Sequence, residues 1–308
     1  MDVIVTRGLT KFYGKTRGVE DLSMCVPAGA VYGFLGPNGA GKTTTIRCLL
    51  GMLKPTAGES DVLGERVTLD GAELRRRIGY VAGDVRLYER ETGRWHLDFV
   101  AGMRGGAGVL EADLLERFDL DPSKKVKELS KGNKQKLALI LGMAHDPELL
   151  ILDEPTSGLD PLNQETVYSV IEERVAAGRT VFLSSHILSE VERVCDRVGI
   201  IRGGRLVAEE GVRDLLGKRL REIDVTFAEP TEPSFLGEVA GVDSVSALGA
   251  SRFAARVRGT AIDDVLKRLA SRTVTDIRIQ QASLEDVFLE YYRGDEPAPD
   301  TAEGGEAL

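Results

Sequence analysis

The stretch that most constrains this chain is "GPNGAGKTTT", which runs from Gly36 to Thr45 and contains little packing volume. It follows the short apolar run "AVYGFLG" and leads into "AGKTTTIRCLLGML", whose apolar residues recur with helical spacing. The pattern G-x-x-x-x-G-K-[ST] between a strand and a helix is typical of a loop that wraps phosphate groups. Glycine at positions 36, 39 and 41 permits backbone dihedrals and close approaches that a Cβ atom would block.

In such a loop the backbone N–H groups and the helix N-terminus point at anionic oxygens. We expect Lys42 to reach the β- and γ-phosphates of a bound nucleotide, Thr43 to ligate Mg²⁺ through its hydroxyl, and Thr44 to add a phosphate contact. The other loop residues expected to contact the nucleotide are Asn38, Gly39 and Gly41. A flexible glycine loop with an accidental lysine is the alternative, which the flanking strand and helix disfavour.

A pair of acidic residues ends the apolar run "LLILDEP". Asp153 follows residues that suit a strand buried on both faces, and a buried carboxylate is costly unless a charged group pairs with it. Mg²⁺, held through water, is the expected partner of Asp153. Glu154 is the next residue and points differently, so it is the candidate general base for the water that attacks the γ-phosphate. Two solvated acids at a strand end are the alternative.

Strands and helices alternate over the first two thirds of the chain, which indicates a mainly parallel α/β sheet. Within this region "GIIRGGRLVAEEG" is typical of a hairpin that turns at Gly203-Gly204. From about residue 221 the order becomes strand, helix, strand, strand, helix, strand, followed by a final helix over "SLEDVFLEYY". The order βαββαβ predicts a ferredoxin-like α+β unit.

Further motifs, in order along the chain, resemble the ATP-binding subunit of ATP-binding cassette (ABC) transporters. "LSKGN" (129–133) stands where that family has its signature segment, "SGLD" (157–160) is similar to its D-loop, and "SSHIL" contains a histidine that matches its switch residue. The resemblance covers about residues 2–218. The ending "SLEDVFLEYY" is similar to the drug- and antibiotic-exporter branch of the family.

The resemblance implies a role for each matching residue. Tyr13 would stack on the adenine, and His186 would contact the γ-phosphate and take part in catalysis. Two cassettes close head to tail in the family, so Ser130 and Gly132 would bind the ATP held by a second copy, and Asp160 would link the two sites. A helix N-terminus with a hydroxyl suits an arriving phosphate. A satisfied structural histidine at a helix start is the alternative for His186.

Two departures from the family pattern affect the expected site. The signature segment has Lys131 in place of a glycine and Asn133 in place of a glutamine. The glutamine that contacts Mg²⁺ in the family is replaced by Gly83, with Asp84 beside it. We therefore consider Asp84 as a substitute metal contact, with a solvated loop residue or a contact to a permease as the alternatives.

Composition bounds the location and the partners. The net charge is −9, and the tail after Arg293 contains five acidic and no basic residues, which predicts disorder over residues 294–308. Nothing in the net charge suggests a nucleic-acid partner. The chain has no apolar run of about 20 residues, no signal-peptide pattern and no CxxC pair among its three cysteines, which predicts a cytoplasmic protein with reduced thiols.

These observations predict an α/β ABC-type nucleotide-binding cassette over residues 1–218, with a helical subdomain at about 88–146, and a C-terminal regulatory or dimerisation domain over 219–293. The predicted function is ATP hydrolysis that powers an exporter of a drug, antibiotic or lipid-like cargo. The predicted partners are a second copy of the chain and an integral membrane permease, which holds the subunit at the inner face of the membrane. The alternatives are a soluble ABC ATPase that acts on ribosomes or DNA, and a degenerate cassette that binds ATP without hydrolysing it.

Overall fold

The computed structural model describes residues 2–217 and 220–280. The chain divides after Val212 into two compact units. The predicted helix over "SLEDVFLEYY" and the predicted acidic tail lie outside the described residues. Within the described ranges, no helix combines the length and the apolar character that crossing a membrane requires.

Two sheets and their flanking helices make up the first unit. Its strands, in chain order, are β1 (Asp2–Tyr13), β2 (Thr16–Pro27), β3 (Val31–Leu35), β4 (Ala57–Val62), β5 (Glu65–Arg66), β6 (Ile78–Val81), β7 (Leu149–Asp153), β8 (Thr180–Ser185), β9 (Arg197–Arg202) and β10 (Arg205–Gly211). Its helices are α1 (Lys42–Leu49), α2 (Ala72–Arg76), α3 (Gly93–Arg104), α4 (Glu111–Arg117), α5 (Lys131–Met143), α6 (Pro161–Ala176) and α7 (Leu188–Val194). A short 3-10 turn, Val126–Glu128, precedes α5, and α8 (Val212–Gly217) begins where the two units divide.

The central sheet has the strand order β10-β9-β3-β8-β7-β6, and only β10 runs antiparallel to its neighbour. Every residue of β3, β7 and β8 is buried, as the continuous apolar runs predict for parallel strands covered on both faces. The predicted parallel sheet and the hairpin at Gly203-Gly204 are therefore confirmed. The carboxyl ends of the parallel strands meet at one edge, where open α/β sheets bind their ligands.

A separate antiparallel sheet, of strand order β2-β1-β4-β5, was not expected from the sequence. The segment "KPTAGES" is typical of a stretch that ends a helix. However, β4 begins within it and pairs with β1. Glycine and acidic residues have low strand propensity, so pairing with β1 decides the conformation here. The inward residues of this sheet, among them Ile4, Leu22 and Val62, pack with Ile46 and Leu49 of α1 in one buried cluster.

The second unit has the element order predicted from the sequence. Its elements are β11 (Leu220–Phe227), α9 (Ser234–Gly237), β12 (Val242–Ala247), β13 (Arg252–Arg258), a 3-10 turn (Gly259–Ala261), α10 (Ile262–Leu269) and β14 (Val274–Gln280). The antiparallel sheet has the order β12-β13-β11-β14, with its buried core formed by residues such as Ile223, Phe253 and Val265. This arrangement confirms the ferredoxin-like βαββαβ unit.

Candidate active site

The carboxyl end of β3 leads into the predicted phosphate loop, which ends where α1 begins. Gly39 and Gly41 have φ values of 79° and 110°, in the region that favours glycine. A Cβ atom at Gly41 would lie 2.6 Å from the carbonyl oxygen of Gly18, whereas one at Gly39 would meet no atom within 4 Å. Position 41 therefore requires glycine because of the neighbouring backbone, and the loop surface around Gly39 is open to a ligand.

The side chain of Lys42 is folded into this loop and is almost fully buried. Its Nζ atom donates hydrogen bonds to the carbonyl oxygens of Gly36 at 2.7 Å and Pro37 at 3.1 Å, and lies 3.5 Å from Oε1 of Glu154. Burial lowers the pKa of Lys42, and the Glu154 carboxylate opposes that shift. The ammonium group is thus held among oxygen acceptors, and phosphate oxygens can take the place of such acceptors.

Asp153 is buried at the end of β7. Its Oδ2 atom accepts a hydrogen bond from Oγ1 of Thr43 at 2.8 Å, and its Oδ1 atom accepts one from the hydroxyl of Ser184. Ser184 lies opposite Asp153 because β7 and β8 are parallel neighbours. The carboxylate therefore joins the phosphate loop to two strands of the sheet.

Glu154 turns away from Asp153 because its backbone is left-handed, with a φ of 51°. This conformation is uncommon for a residue other than glycine and stores local strain. Its Oε1 atom lies 3.1 Å from Nδ1 of His186 and 3.5 Å from Nζ of Lys42. The structure thus brings together Lys42, Glu154 and His186, three residues that belong to three separate motifs in the sequence.

The side chains at the outer rim of the loop are Tyr13, Thr44 and Asn38. The Tyr13 hydroxyl lies 3.5 Å from Oγ1 of Thr44, and its ring is half exposed. A Cβ atom at Gly18 would come within 3.0 Å of both side chains, so the absence of one leaves them room. Asn38 is exposed. An exposed aromatic face beside a phosphate loop is suited to stacking on a base.

Ser130, Gly132 and Asp160 form a second group. Ser130 and Asp160 are the N-caps of α5 and α6, and each side chain accepts a hydrogen bond from the N–H group three residues later. For Asp160 this hydrogen bond lowers the pKa of the carboxyl group. A Cβ atom at Gly132 would lie 3.1 Å from the carbonyl oxygen of Gly158, so the two capped loops are adjacent. Within the described ranges, no hydrogen bond or ion pair connects this group to Lys42 or its neighbours.

The loop after β6 places the two candidate residues differently from the expectation. Asp84 is 76% exposed and forms an ion pair with Arg86 at 2.8 Å. In the described part of the chain, Asp84 has no hydrogen bond or ion pair with Thr43 or Asp153. A Cβ atom at Gly83, however, would lie 3.2 Å from the carbonyl oxygen and 3.5 Å from Cγ of Asp153. Position 83, rather than Asp84, therefore faces the buried carboxylate.

Two residues that hold the site together were missed by the sequence reasoning. Ser184 binds Asp153, and the polar end of the apolar run "TVFLSS" was a signal for it. Gln135 is buried in α5, and its Nε2 atom donates a 2.7 Å hydrogen bond to the carbonyl oxygen of Pro155. The sequence gives little signal for it, because Gln135 lies between two lysines in the polar first half of α5. This bond joins α5 to the loop that follows β7.

The residues present fit both a triphosphate and Mg²⁺. Mg²⁺ is usually bound by one or two carboxylates together with water and substrate phosphates, rather than by protein groups alone. The hydroxyl of Thr43 and the carboxylate of Asp153 are oxygen donors in mutual contact beside the loop. Among the described residues, no cluster of three or more His, Cys, Asp or Glu side chains is arranged to hold a metal ion. The donor set therefore suits an ion whose remaining ligands are phosphate oxygens and water.

Known proteins that are similar to this chain are also described as nucleotide-binding proteins. Residues 19–157 match the ABC transporter family. The bacitracin transport ATP-binding protein BcrA of Bacillus licheniformis is 42% identical over 227 residues, which cover 71% of this chain and 73% of that protein. The daunorubicin/doxorubicin resistance ATP-binding protein DrrA of Streptomyces peucetius is 36% identical over 306 residues, covering 93% and 91%.

Solved structures agree with this assignment. A structure described as the ATP-binding subunit of an ABC transporter superposes with a TM-score of 0.64 and 33% sequence identity, covering 69% of this chain and 91% of that one. The matches cover 73%, 91% and 91% of the lengths of these three proteins. The chain belongs to the ATP-binding proteins of the ABC transporter family, and it is an ATPase of that family.

Proposed function

We propose that this chain is the subunit that hydrolyses ATP for an exporter of a drug, antibiotic or lipid-like cargo, working with a separate membrane permease. The relatives named for bacitracin transport and for daunorubicin/doxorubicin resistance support this class of cargo. The observation that carries the catalytic part of the proposal is the contact of Glu154 with both Lys42 and His186.

Each of these side chains has a distinct task in the proposed reaction. Lys42 neutralises negative charge on the β- and γ-phosphates, where its present carbonyl acceptors give way to phosphate oxygens. Glu154 accepts a proton from the water that attacks the γ-phosphate. His186 orients Glu154 through the 3.1 Å contact and approaches the γ-phosphate from the end of β8. Tyr13 stacks on the adenine, and the loop residues Asn38, Gly39, Gly41 and Thr44 contact the phosphates.

Thr43 and Asp153 are the residues that would hold Mg²⁺. Held there, Mg²⁺ would supply positive charge that offsets the negative charge of the phosphates during transfer. Hydrogen bonds from the hydroxyls of Thr43 and Ser184 hold the Asp153 carboxylate in position. There it would accept a hydrogen bond from a water molecule bound to the ion. Asp84 was a third candidate ligand, but its exposure and its pairing with Arg86 favour the other two interpretations, a solvated loop residue or a permease contact.

Substitution of Lys42 and Glu154 tests the catalytic assignment. Lys42→Ala should weaken binding of a fluorescent ATP analogue and abolish turnover, whereas Glu154→Gln should retain binding and lose turnover. Lys267→Ala is the matched control, because this exposed lysine in α10 pairs with Asp263 and should leave both quantities unchanged. If Glu154→Gln hydrolyses ATP at the parent rate, the assignment of the general base is wrong.

The group formed by Ser130, Gly132 and Asp160 supports a role for a second copy of the chain. Among the described residues no hydrogen bond or ion pair joins the group to Lys42, so we propose that it completes the nucleotide site of a partner cassette. The C-terminal unit would stabilise or regulate the pair. Sedimentation of Glu154→Gln should detect a dimer with Mg-ATP and a monomer without it. Adding Ser130→Glu should abolish that dimer through charge repulsion, whereas Ser123→Glu, at another exposed serine, should not. An equally strong dimer in all samples would contradict this part of the proposal.

An open groove in the first unit supports docking of the permease. The groove has a volume of about 370 Å³ and combines the exposed side chains of Met52 and Met103 with three arginines, Arg75, Arg76 and Arg104. This surface suits an amphipathic cytoplasmic segment that carries acidic residues, and such docking would hold the chain at the inner face of the membrane. Met52→Glu with Met103→Glu should prevent capture of a membrane protein from detergent-solubilised host membranes and leave the ATPase activity of the isolated chain unchanged.

Transport itself tests the cargo. Inverted vesicles that contain the captured permease and the parent chain should accumulate daunorubicin or bacitracin when ATP is added. Vesicles with Glu154→Gln should accumulate neither compound. Accumulation of neither compound by the parent vesicles, despite active ATP hydrolysis, would contradict the proposed cargo class and leave the ATPase assignment intact.

A further inference from the structure

Glu190 is a buried carboxylate in α7 that the proposed reaction does not use. Its side chain is 2% exposed. Its Oε1 atom accepts a hydrogen bond from Oγ1 of Thr156 at 3.0 Å, and its Oε2 atom accepts one from Oγ of Ser185 at 2.5 Å. Both oxygens of one acid therefore accept hydrogen bonds from hydroxyls of two segments: Thr156 lies in the loop after β7, and Ser185 ends β8 where the next loop begins.

These two loops carry the two residues whose contact defines the candidate active site. Thr156 lies two residues after Glu154, and Ser185 lies immediately before His186. The Ser185 carbonyl oxygen also accepts a hydrogen bond from the N–H group of Gly36 at 3.3 Å. Glu190 is thus bonded directly to the loop that contains Glu154 and to the residue before His186. Through Ser185 it is also connected to Gly36, at the start of the phosphate loop.

Burying the Glu190 carboxylate costs free energy unless the hydroxyls of Ser185 and Thr156 remain in place to bind it. Burial raises the pKa of Glu190, and the hydrogen bonds from Ser185 and Thr156 oppose that shift. The Ser185 hydroxyl oxygen also accepts a bond from the N–H group of Ile187 at 2.9 Å, which orients it towards Glu190. Loss of the acid would leave the buried Thr156 hydroxyl without its acceptor and the Ser185 hydroxyl with only its 3.3 Å bond to the Ile187 carbonyl oxygen. Such loss of hydrogen bonding destabilises the local arrangement.

We propose that Glu190 is a positioning residue that fixes the contact between Glu154 and His186 by binding the loop of each. The inference rests on the proposed roles of those two residues. It assigns to Glu190 no contact with ATP and no proton transfer. Its effect is on geometry: when the two loops separate, Glu154 loses the orientation that His186 provides at 3.1 Å.

Steady-state kinetics on two variants test this proposal. Glu190→Ala and Thr156→Val should each lower kcat at least about tenfold, since a displacement of about 1 Å at a catalytic group has effects of this size or larger. The KM for ATP should stay within about twofold, because Gly36 bonds to the backbone carbonyl of Ser185 and the phosphate loop does not need the Ser185 hydroxyl. Glu190→Gln keeps the size and part of the hydrogen bonding, so it should retain more of kcat than Glu190→Ala.

Thr6→Val is the matched control for Thr156→Val. Thr6 is a buried threonine of β1 whose hydroxyl oxygen accepts a hydrogen bond from the N–H group of Met24 at 3.0 Å. It lies seven residues before Tyr13, and β1 contains neither Lys42, Glu154 nor His186. Thr6→Val should lower the melting temperature without changing kcat. If Glu190→Ala fails to fold, Thr156→Val and Glu190→Gln decide the outcome.

A double variant separates positioning from a general structural effect. In the His186→Ala background, single-turnover rates should fall by less than about twofold when Glu190→Ala is added, because both substitutions remove the same orientation of Glu154. A full tenfold additional loss, or parental kcat in folded Thr156→Val and Glu190→Gln, would overturn the proposal. If Glu154→Gln and His186→Ala themselves keep parental rates, the proposed function has failed, and not this inference alone.

Discussion

The loops after β6 and β7 leave neighbouring parallel strands at the same edge of the central sheet, yet they direct their acidic residues in opposite ways. At the last residue of β7, Asp153 is buried between two hydroxyls, and the next residue, Glu154, lies against Lys42 and His186. After β6, Asp84 is exposed and pairs with Arg86.

Position along a strand is therefore not enough to bring an acid into the site. Asp153 is still part of β7, so the parallel pairing with β8 directs its carboxylate to Ser184. Glu154 reaches Lys42 because its left-handed backbone reverses the side-chain direction. Asp84 lies beyond the end of β6 with neither constraint, and the residue that faces Asp153 from this loop is Gly83.

The largest expected effect distinguishes the two acids that follow the strands. Glu154→Gln should lower kcat at least about a hundredfold, because general-base catalysis contributes factors of about 10² to 10⁴. Asp84→Asn removes the same charge and should leave kcat within about twofold, as expected for an exposed ion pair. Equal losses of kcat in the two variants would contradict the different roles assigned to Glu154 and Asp84.

A smaller but clear loss is expected when the partner of Glu154 is removed. His186→Ala should lower kcat about tenfold or more, since Glu154 then keeps its basic group but loses its orienting contact. His96→Ala is the control, because His96 is a buried histidine whose Nε2 atom accepts the Tyr88 N–H group at 3.0 Å. The control should lower the melting temperature and leave kcat near the parental value.

A side chain restored at Gly83 should bring the β6 loop into the site. Gly83→Gln should lower the Mg²⁺ concentration for half-maximal ATPase activity about threefold, since the amide oxygen would reach the ion beside Asp153. The tight 3.2 Å approach to the Asp153 carbonyl oxygen should cost about 1 kcal/mol in the free energy of unfolding. Asp84→Gln places the same amide one residue later and should leave the Mg²⁺ dependence unchanged.

The smallest effect is expected for Asp84→Ala in the isolated chain. Its Mg²⁺ dependence should match that of the parent, and urea unfolding should change by no more than about 0.5 kcal/mol, because the lost pair with Arg86 is exposed. A normal isolated activity with reduced stimulation by the permease would identify Asp84 as a permease contact. A raised Mg²⁺ requirement would instead restore Asp84 as a metal ligand.

Much of the fold follows from local patterns in the sequence. The apolar runs of β3, β7 and β8 predict buried parallel strands because covering both faces of a strand requires apolar residues on both. The C-terminal unit is also predicted locally, because the apolar spacing within each segment indicates a strand or a helix. The resulting order βαββαβ is that of a ferredoxin-like unit. The strand β4 was missed because "AGES" has little strand propensity and depends on pairing with the distant β1.

The sequence by itself determined the chemistry of the site: a glycine loop that accommodates phosphates, Lys42 and Thr43 at the helix start, and acids at the end of an apolar strand. These features are local, because they depend on backbone freedom and residue type within a few positions. Only the tertiary structure decided which groups meet. Strand pairing brought Ser184 to Asp153, a left-handed turn brought Glu154 to His186, and the packing of α7 brought Glu190 to both loops. Such contacts join residues up to 34 positions apart, so neither local propensity nor periodicity encodes them.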